Sequence, residues 1–213
     1  MIKKTITNYT TKNNMKLEQE GIDFIVEEET GGKEYYEKVY KSTFIWPKGM
    51  SGPTAMVGID IGYYSATEID TIFKPLTTEH ELDLIQNGRG KKGLVAEAYT
   101  KKLKGITFTW EESLQVFELY ILPKFIKYTA KAFPGVEKLC TGAQTALVSL
   151  VFNRGMSMSG PTRREMLEIK GLVPDKKYKD IALQIRSMKR LWEKGNGLIG
   201  RRDREAKLVE TCL

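Results

Sequence analysis

In the segment Ser51-Gly-Pro-Thr-Ala-Met-Val-Gly-Ile-Asp-Ile-Gly62 a hydroxyl and a carboxylate stand in step with one another. Read as one strand, it puts Ala55, Val57, Ile59 and Ile61 on one face and Thr54, Met56, Gly58 and Asp60 on the other. The first is a core face. The second sets Thr54 and Asp60 on a common surface beside Gly58, which has no side chain to hold a ligand off. A second acidic group, Glu27-Glu28-Glu29, closes the preceding helical pattern just before Thr30-Gly31-Gly32. Two carboxyl groups from separate segments, one protonated toward a leaving oxygen and one ionised toward a water, are the minimum equipment for glycoside hydrolysis. Plain solvation also produces a polar strand face and an acidic helix end, and pattern alone leaves both accounts standing.

Other chemistries have less to work with. The single histidine, His80, sits in a helix-capping pattern, and no histidine-cysteine cluster offers metal ligands, so no metal and no cofactor is expected. Ser51, Ser149 and Cys140 lack a histidine partner in any recognisable arrangement. Gly88-Arg-Gly-Lys-Lys-Gly93 is glycine-rich and basic but lacks the Lys-Ser/Thr ending of a phosphate loop, and it reads as a tight basic turn.

The elements that must position these groups come from a chain of 213 residues, enough for one sizeable core or two small ones. Thirty-four basic residues against 27 acidic ones leave a net charge of +7, which suits an anionic partner: nucleic acid, membrane surface or cell-wall polymer. Two cysteines, Cys140 and Cys212, argue against a disulfide scaffold and make a reducing compartment the simplest home. The opening Met-Ile-Lys-Lys is basic, but no apolar stretch or cleavage site follows, so synthesis in the cytoplasm without a Sec signal is expected. Apolar runs such as Leu150-Val-Phe152 are far too short to insert in a membrane.

Residues 1–14 read as a polar arm. A short helix follows, ending near Gly31-Gly32, then irregular chain, the strand, and a helical remainder marked by four capping patterns: Thr78 with Glu81, Thr109 with Glu112, Thr141 with Gln144, Thr162 with Glu165. The longest helix is expected over about 109–133, with Pro123 kinking or splitting it. Later helices are expected at about 142–153, 163–170, 176–192 and 198–211. The fold class is α+β and predominantly helical.

Taken together, these motifs resemble the lysozyme-like muramidases of phages, in particular their pesticin-type branch. The likeness rests on Glu29-Thr-Gly-Gly-Lys-Glu-Tyr35-Tyr36, on Ser51-Gly52-x-Thr54-x-x-x-Gly58-x-Asp60-x-Gly62, on Asn153-Arg154-Gly155, and on Ile185 to Trp192 with Gly197 to Ala206. It spans about residues 20 to 210 in order. It implies a single lysozyme-like domain over 15–213: a small mixed lobe to about residue 108, a connecting helix over about 109–133, and a helical lobe beyond. Residue by residue, the resemblance implies that Glu29 is the general acid and Asp60 the general base or charge stabiliser. Thr54 would then place the attacking water. Arg201 falls where related phage lysozymes pair an arginine with the catalytic glutamate, with Arg202 as the alternative. Tyr35, Tyr36, Trp46, Asn153 and Arg154 become cleft-lining or structural candidates, with a structural role favoured for the aromatics.

The implied activity is hydrolysis of the β-1,4 bond between N-acetylmuramic acid and N-acetylglucosamine. The partner would be the peptidoglycan glycan strand and not nucleic acid, the protein a monomer, and the site of action the bacterial wall or periplasm after release through a holin pore or a secretion system. Pro53, Ala55-Met56 and Ile59 depart from the branch's usual strand residues. Those departures motivate an alternative, a lysozyme-like wall-binding or regulatory protein without turnover.

Overall fold

The structure, a computed structural model, describes residues 9–10, 15–40 and 43–213. Among the described residues it is predominantly helical, with two short antiparallel strand pairs. The polar arm expected at 1–14 lies outside the described residues apart from β1 (Tyr9–Thr10), which pairs with β2 (Lys16–Leu17). The chain divides into two compact units. One comprises the residues up to Glu28 together with Pro123–Leu213, and the other is Glu29–Leu122. Helix α1 (Gln19–Thr30) contributes Glu28 to the first and Glu29 to the second.

The Glu29–Leu122 unit holds α2 (Lys33–Tyr35) with a π-helical turn over Tyr36–Tyr40, the hairpin β3 (Thr54–Ala55) and β4 (Ile59–Asp60), then α3 (Ala66–Phe73), α4 (Glu79–Gly88), α5 (Gly93–Thr100) and α6 (Trp110–Val116). Its core contains Phe44, Phe73 and Phe108, whose rings meet pairwise at centroid distances of 5.6 to 5.9 Å. Tilted and edge-on contacts of this kind suit the ring quadrupoles. Ile59, Ile61, Ile69 and Ile85 are buried in the same unit.

The single strand expected within 51–62 is instead a hairpin. Thr54 opposes Asp60 and Ala55 opposes Ile59, with Met56 and Gly58 at positive φ (53° and 75°) in the turn. A three-residue loop reverses the chain with a left-handed residue near its end, and Gly58 takes that conformation without a Cβ penalty. The alternation that looked like one long strand comes from two short ones in antiparallel register. Ala55, Val57, Ile59 and Ile61 are all buried, but Met56, expected on the polar face, is buried too.

In the other unit, α7 (Leu122–Ala132) enters from a π-helical turn over Phe117–Ile121, where the Leu122 N–H bonds back to the Phe117 carbonyl. The widened turn falls just ahead of Pro123, whose ring would otherwise press on the carbonyl four residues back. Helix α8 (Thr141–Arg154) is buried continuously from Ala143 to Val151, as befits a helix surrounded by others. It is followed by α9 (Arg164–Leu172), α10 (Tyr178–Ser187) and α11 (Gly197–Glu210). Helix α11 packs on α8 and α10, and α10 on α9.

Capping patterns were legible where the carboxylate three residues on is not buried. Thr78–Glu81 and Thr109–Glu112 form reciprocal boxes, and so does Ser65–Glu68, which the sequence reading missed. Thr141–Gln144 and Thr162–Glu165 do not. Cys140 is the N-cap of α8, and the Gln144 amide donates to the Leu139 carbonyl instead. Glu165 is fully buried and claimed by Arg190 at 2.6 and 3.1 Å. The two cysteines, for which a reducing compartment was the simplest expectation, form a disulfide. Cys140 before α8 is bonded to Cys212 after α11, with Cα atoms 6.0 Å apart across a separation of 72 residues.

Candidate active site

The hairpin brings Thr54 and Asp60 together as direct cross-strand partners, which places their side chains on one face. Ile45 holds the outer side of Thr54 through reciprocal backbone bonds of 2.8 Å. The Asp60 carboxylate turns back onto the chain. Gly52 N–H donates to Oδ1 at 3.0 Å and Oδ2 at 2.9 Å, and Gly62 N–H donates to Oδ1 at 2.9 Å. The Thr54 hydroxyl donates to the Gly52 carbonyl at 3.1 Å.

This explains the glycines of the motif. A Cβ on Gly52 would sit 2.4 Å from Asp60 Oδ1 and 2.6 Å from the Gly62 nitrogen, and one on Gly62 would meet the Lys91 carbonyl at 2.7 Å. Both positions must stay bare for the carboxylate to reach the backbone. The loop is secured further by Trp46 Nε1 and the Gly93 N–H, which both donate to the Ser51 carbonyl at 3.1 Å. Asp60 thus spends two backbone N–H groups on three contacts, and a carboxylate offers about four acceptor positions. About one remains.

Glu29 lies in the last turn of α1, in the same compact unit as Thr54 and Asp60. It is half-buried, with Oε1 shielded from solvent. The residue after it, Thr30, is buried and receives the Gly32 N–H on its hydroxyl at 3.2 Å, fixing the exit from the helix. Tyr35 is 51% exposed, whereas Tyr36 is 1% exposed, with its hydroxyl 2.9 Å from Ser113 Oγ and its ring 5.2 Å from Trp110. Burial pushes the Tyr36 phenol above its usual pKa, and the Ser113 contact offsets part of that. Tyr36 is therefore a packing residue, and Tyr35 presents its ring to solvent.

Glu28, the neighbour that a one-residue shift would make the acid, is gripped by Arg204 in a bidentate pair, with Arg204 Nη2 at 2.9 Å from Oε2. The Glu28 hydrogen bond leads in raising the Arg204 pKa. Sequence reasoning did not single out Arg204. An arginine on a distant helix gives no local signal of its carboxylate partner.

Arg201, Asn153 and Arg154 belong to the other unit. Arg201 is buried and donates to the Ser149 carbonyl and hydroxyl, each at 3.0 Å, and to Glu205 Oε1 at 3.1 Å. Ser149 Oγ lies 2.7 Å from the same Glu205 oxygen, and Arg202 Nη2 donates to it at 2.9 Å. Burial lowers the Arg202 pKa to about 10 against the opposing pull of Glu205. The four side chains form a buried polar cluster. Asn153 is half-buried at the end of α8. Arg154 donates to the Thr162 carbonyl and lies 5.4 Å from the centre of the Trp192 ring. Its pKa is lowered, first by burial and then by Arg163.

Among the described residues no cluster of histidine, cysteine, aspartate and glutamate is placed to hold a metal ion, and no helix is long and apolar enough to cross a membrane. No protein-family model and no curated protein sequence matches the chain.

Proposed function

We propose that the chain is a lysozyme-like muramidase, of the pesticin-type branch its motifs resemble, which cleaves the β-1,4 bond between N-acetylmuramic acid and N-acetylglucosamine in peptidoglycan. The observation that carries the reading is the shared anchoring of Thr54 and Asp60 on Gly52, because it leaves both side chains with acceptor capacity toward one water. Thr54 has already given its proton to the Gly52 carbonyl, so toward a water its oxygen can only accept. A water that donates one proton to Thr54 and the other to Asp60 turns its lone pair outward. That is the orientation needed to attack an anomeric carbon, with Asp60 taking the proton and Glu29 protonating the leaving oxygen. Tyr35, in the same unit as Glu29 and Asp60, is assigned to the glycan path. No cofactor takes part. The enzyme would act as a monomer on the wall after release from the cytoplasm where it is made, and its positive charge would draw it to the anionic wall.

A second reading is favoured by the same geometry. Asp60 closes a loop through backbone bonds, a job it would keep in a wall-binding protein without turnover. Digestion of purified peptidoglycan separates the two. New reducing ends on N-acetylmuramic acid support the muramidase, whereas binding with no new reducing ends supports the non-catalytic protein. The anomeric configuration of the first product then gives the stereochemical course.

A further inference from the structure

We propose that the surface formed by Met50, Tyr63, Lys92 and Leu94 is a peripheral docking site for an anionic lipid bilayer. It lies wholly within the Glu29–Leu122 unit, and it stands independently of the glycosidase reading. Met50, Tyr63 and Lys92 are in contact, and Gly93 links Leu94 to them. The Tyr63 hydroxyl donates to the Met50 carbonyl at 3.0 Å, Lys92 Nζ sits 3.5 Å above the Tyr63 ring, and the position of a Cβ on Gly93 is 4.0 Å from Met50 Sδ. Leu94 follows in the first turn of α5.

Two properties coincide here. The first is exposed apolar surface: Met50 is 70% exposed, Tyr63 60%, Leu94 75% and its neighbour Val95 62%. The second is charge. Between residues 89 and 104 stand Arg89, Lys91, Lys92, Lys101, Lys102 and Lys104 against the single acid Glu97. Three of these lysines lie over the two tyrosine rings: Lys92 at Tyr63, and Lys91 and Lys102 at Tyr99 at 5.1 and 5.5 Å.

The combination selects the occupant. A soluble polyanion such as nucleic acid rewards the lysines but gives Met50 and Leu94 nothing, and a glycan stacks on tyrosine but gains little from exposed aliphatic tips. A bilayer interface takes all three: phosphate headgroups meet the lysines, Tyr63 sits at headgroup depth, and the aliphatic tips enter the acyl boundary. No transmembrane segment is involved.

Flotation of the full-length protein with vesicles tests this, using phosphatidylcholine alone and phosphatidylcholine mixed with phosphatidylglycerol. The wild type should float with the mixed vesicles and not with the neutral ones. The double variant Lys91→Gln/Lys92→Gln should bind the mixed vesicles about thirtyfold more weakly, the effect of losing two basic residues near an anionic surface. Met50→Ser/Leu94→Ser, which leaves the charge untouched, should weaken binding about tenfold, as two apolar tips that only partly leave water would. These side chains lie at the surface, and unchanged thermal unfolding verifies that each variant is folded. The proposal is overturned if the wild type ignores anionic vesicles, or if the Met50→Ser/Leu94→Ser protein binds them as the wild type does. It is equally overturned if a DNA duplex displaces the protein from the vesicles and binds the Met50→Ser/Leu94→Ser protein unchanged, since the surface would then serve a soluble polyanion.

Discussion

Asp60 and Thr54 hold the same residue from opposite ends: Asp60 accepts the Gly52 N–H and Thr54 donates to the Gly52 carbonyl. The hairpin register makes them partners, and Gly52 converts that pairing into a fixed orientation of a carboxylate and a hydroxyl.

Gly52→Ala is therefore expected to disable the site by sterics alone. The added methyl would meet Asp60 Oδ1 at 2.4 Å, so either the carboxylate or the loop must move. Wall-lytic activity should vanish, with a stability loss of about 1–3 kcal/mol, the usual range for overpacking. Chemical denaturation beside an activity assay checks this. An active Gly52→Ala protein would show that the Asp60 orientation is irrelevant.

The buried cluster of Ser149, Arg201, Arg202 and Glu205 predicts a large cost for removing its one acid. Glu205→Ala removes the buried counter-charge that Arg201 and Arg202 share, and about 3–5 kcal/mol should be lost. Ser149→Ala removes a single hydrogen-bonding hydroxyl and should cost about 1–2 kcal/mol. The double variant should cost less than the sum, because both act on Glu205 Oε1.

Acid should weaken the protein partly through Glu165. Burial alone would raise its pKa, but the Arg190 hydrogen bonds and charge, with Arg164, overcome this and hold the carboxyl below its ordinary value. A depressed folded-state pKa means that the unfolded chain takes up the proton first on acidification. The stabilisation is then fully present above the unfolded value of about 4.3 and is lost as pH falls through the folded one. Thermal unfolding of the wild type and Glu165→Gln should differ clearly near neutrality, and the two curves should converge in acid.

Reduction should destabilise the helical unit. The Cys140–Cys212 bond closes a loop of 72 residues, for which chain entropy assigns about 4 kcal/mol. A thiol reductant should lower the unfolding temperature of the wild type and leave Cys140→Ser/Cys212→Ser unchanged.

Legibility followed the range of the interactions. Helices with exposed capping hydroxyls could be read because Thr78 and Thr109 bond within four residues of themselves. Cys140 and Cys212, Glu28 and Arg204, and Ser149 and Glu205 find each other only after folding, so no local pattern announced them. The hairpin was half legible. Alternation identified the buried residues and set Thr54 beside Asp60, but Gly58 read as a strand glycine when it is a turn. The Asp60 contacts to Gly52 and Gly62 could not be read either, although those two glycines of the motif were their trace.

The most direct test is the loss of turbidity of purified peptidoglycan with the wild type, Glu29→Gln and Glu28→Gln side by side. Glu28 is occupied by Arg204, so its variant should clear the suspension at close to the wild-type rate, while Glu29→Gln should be inactive and still folded. Clearing by Glu29→Gln at the wild-type rate would contradict the assignment of the acid, and no clearing by the wild type would contradict the muramidase itself.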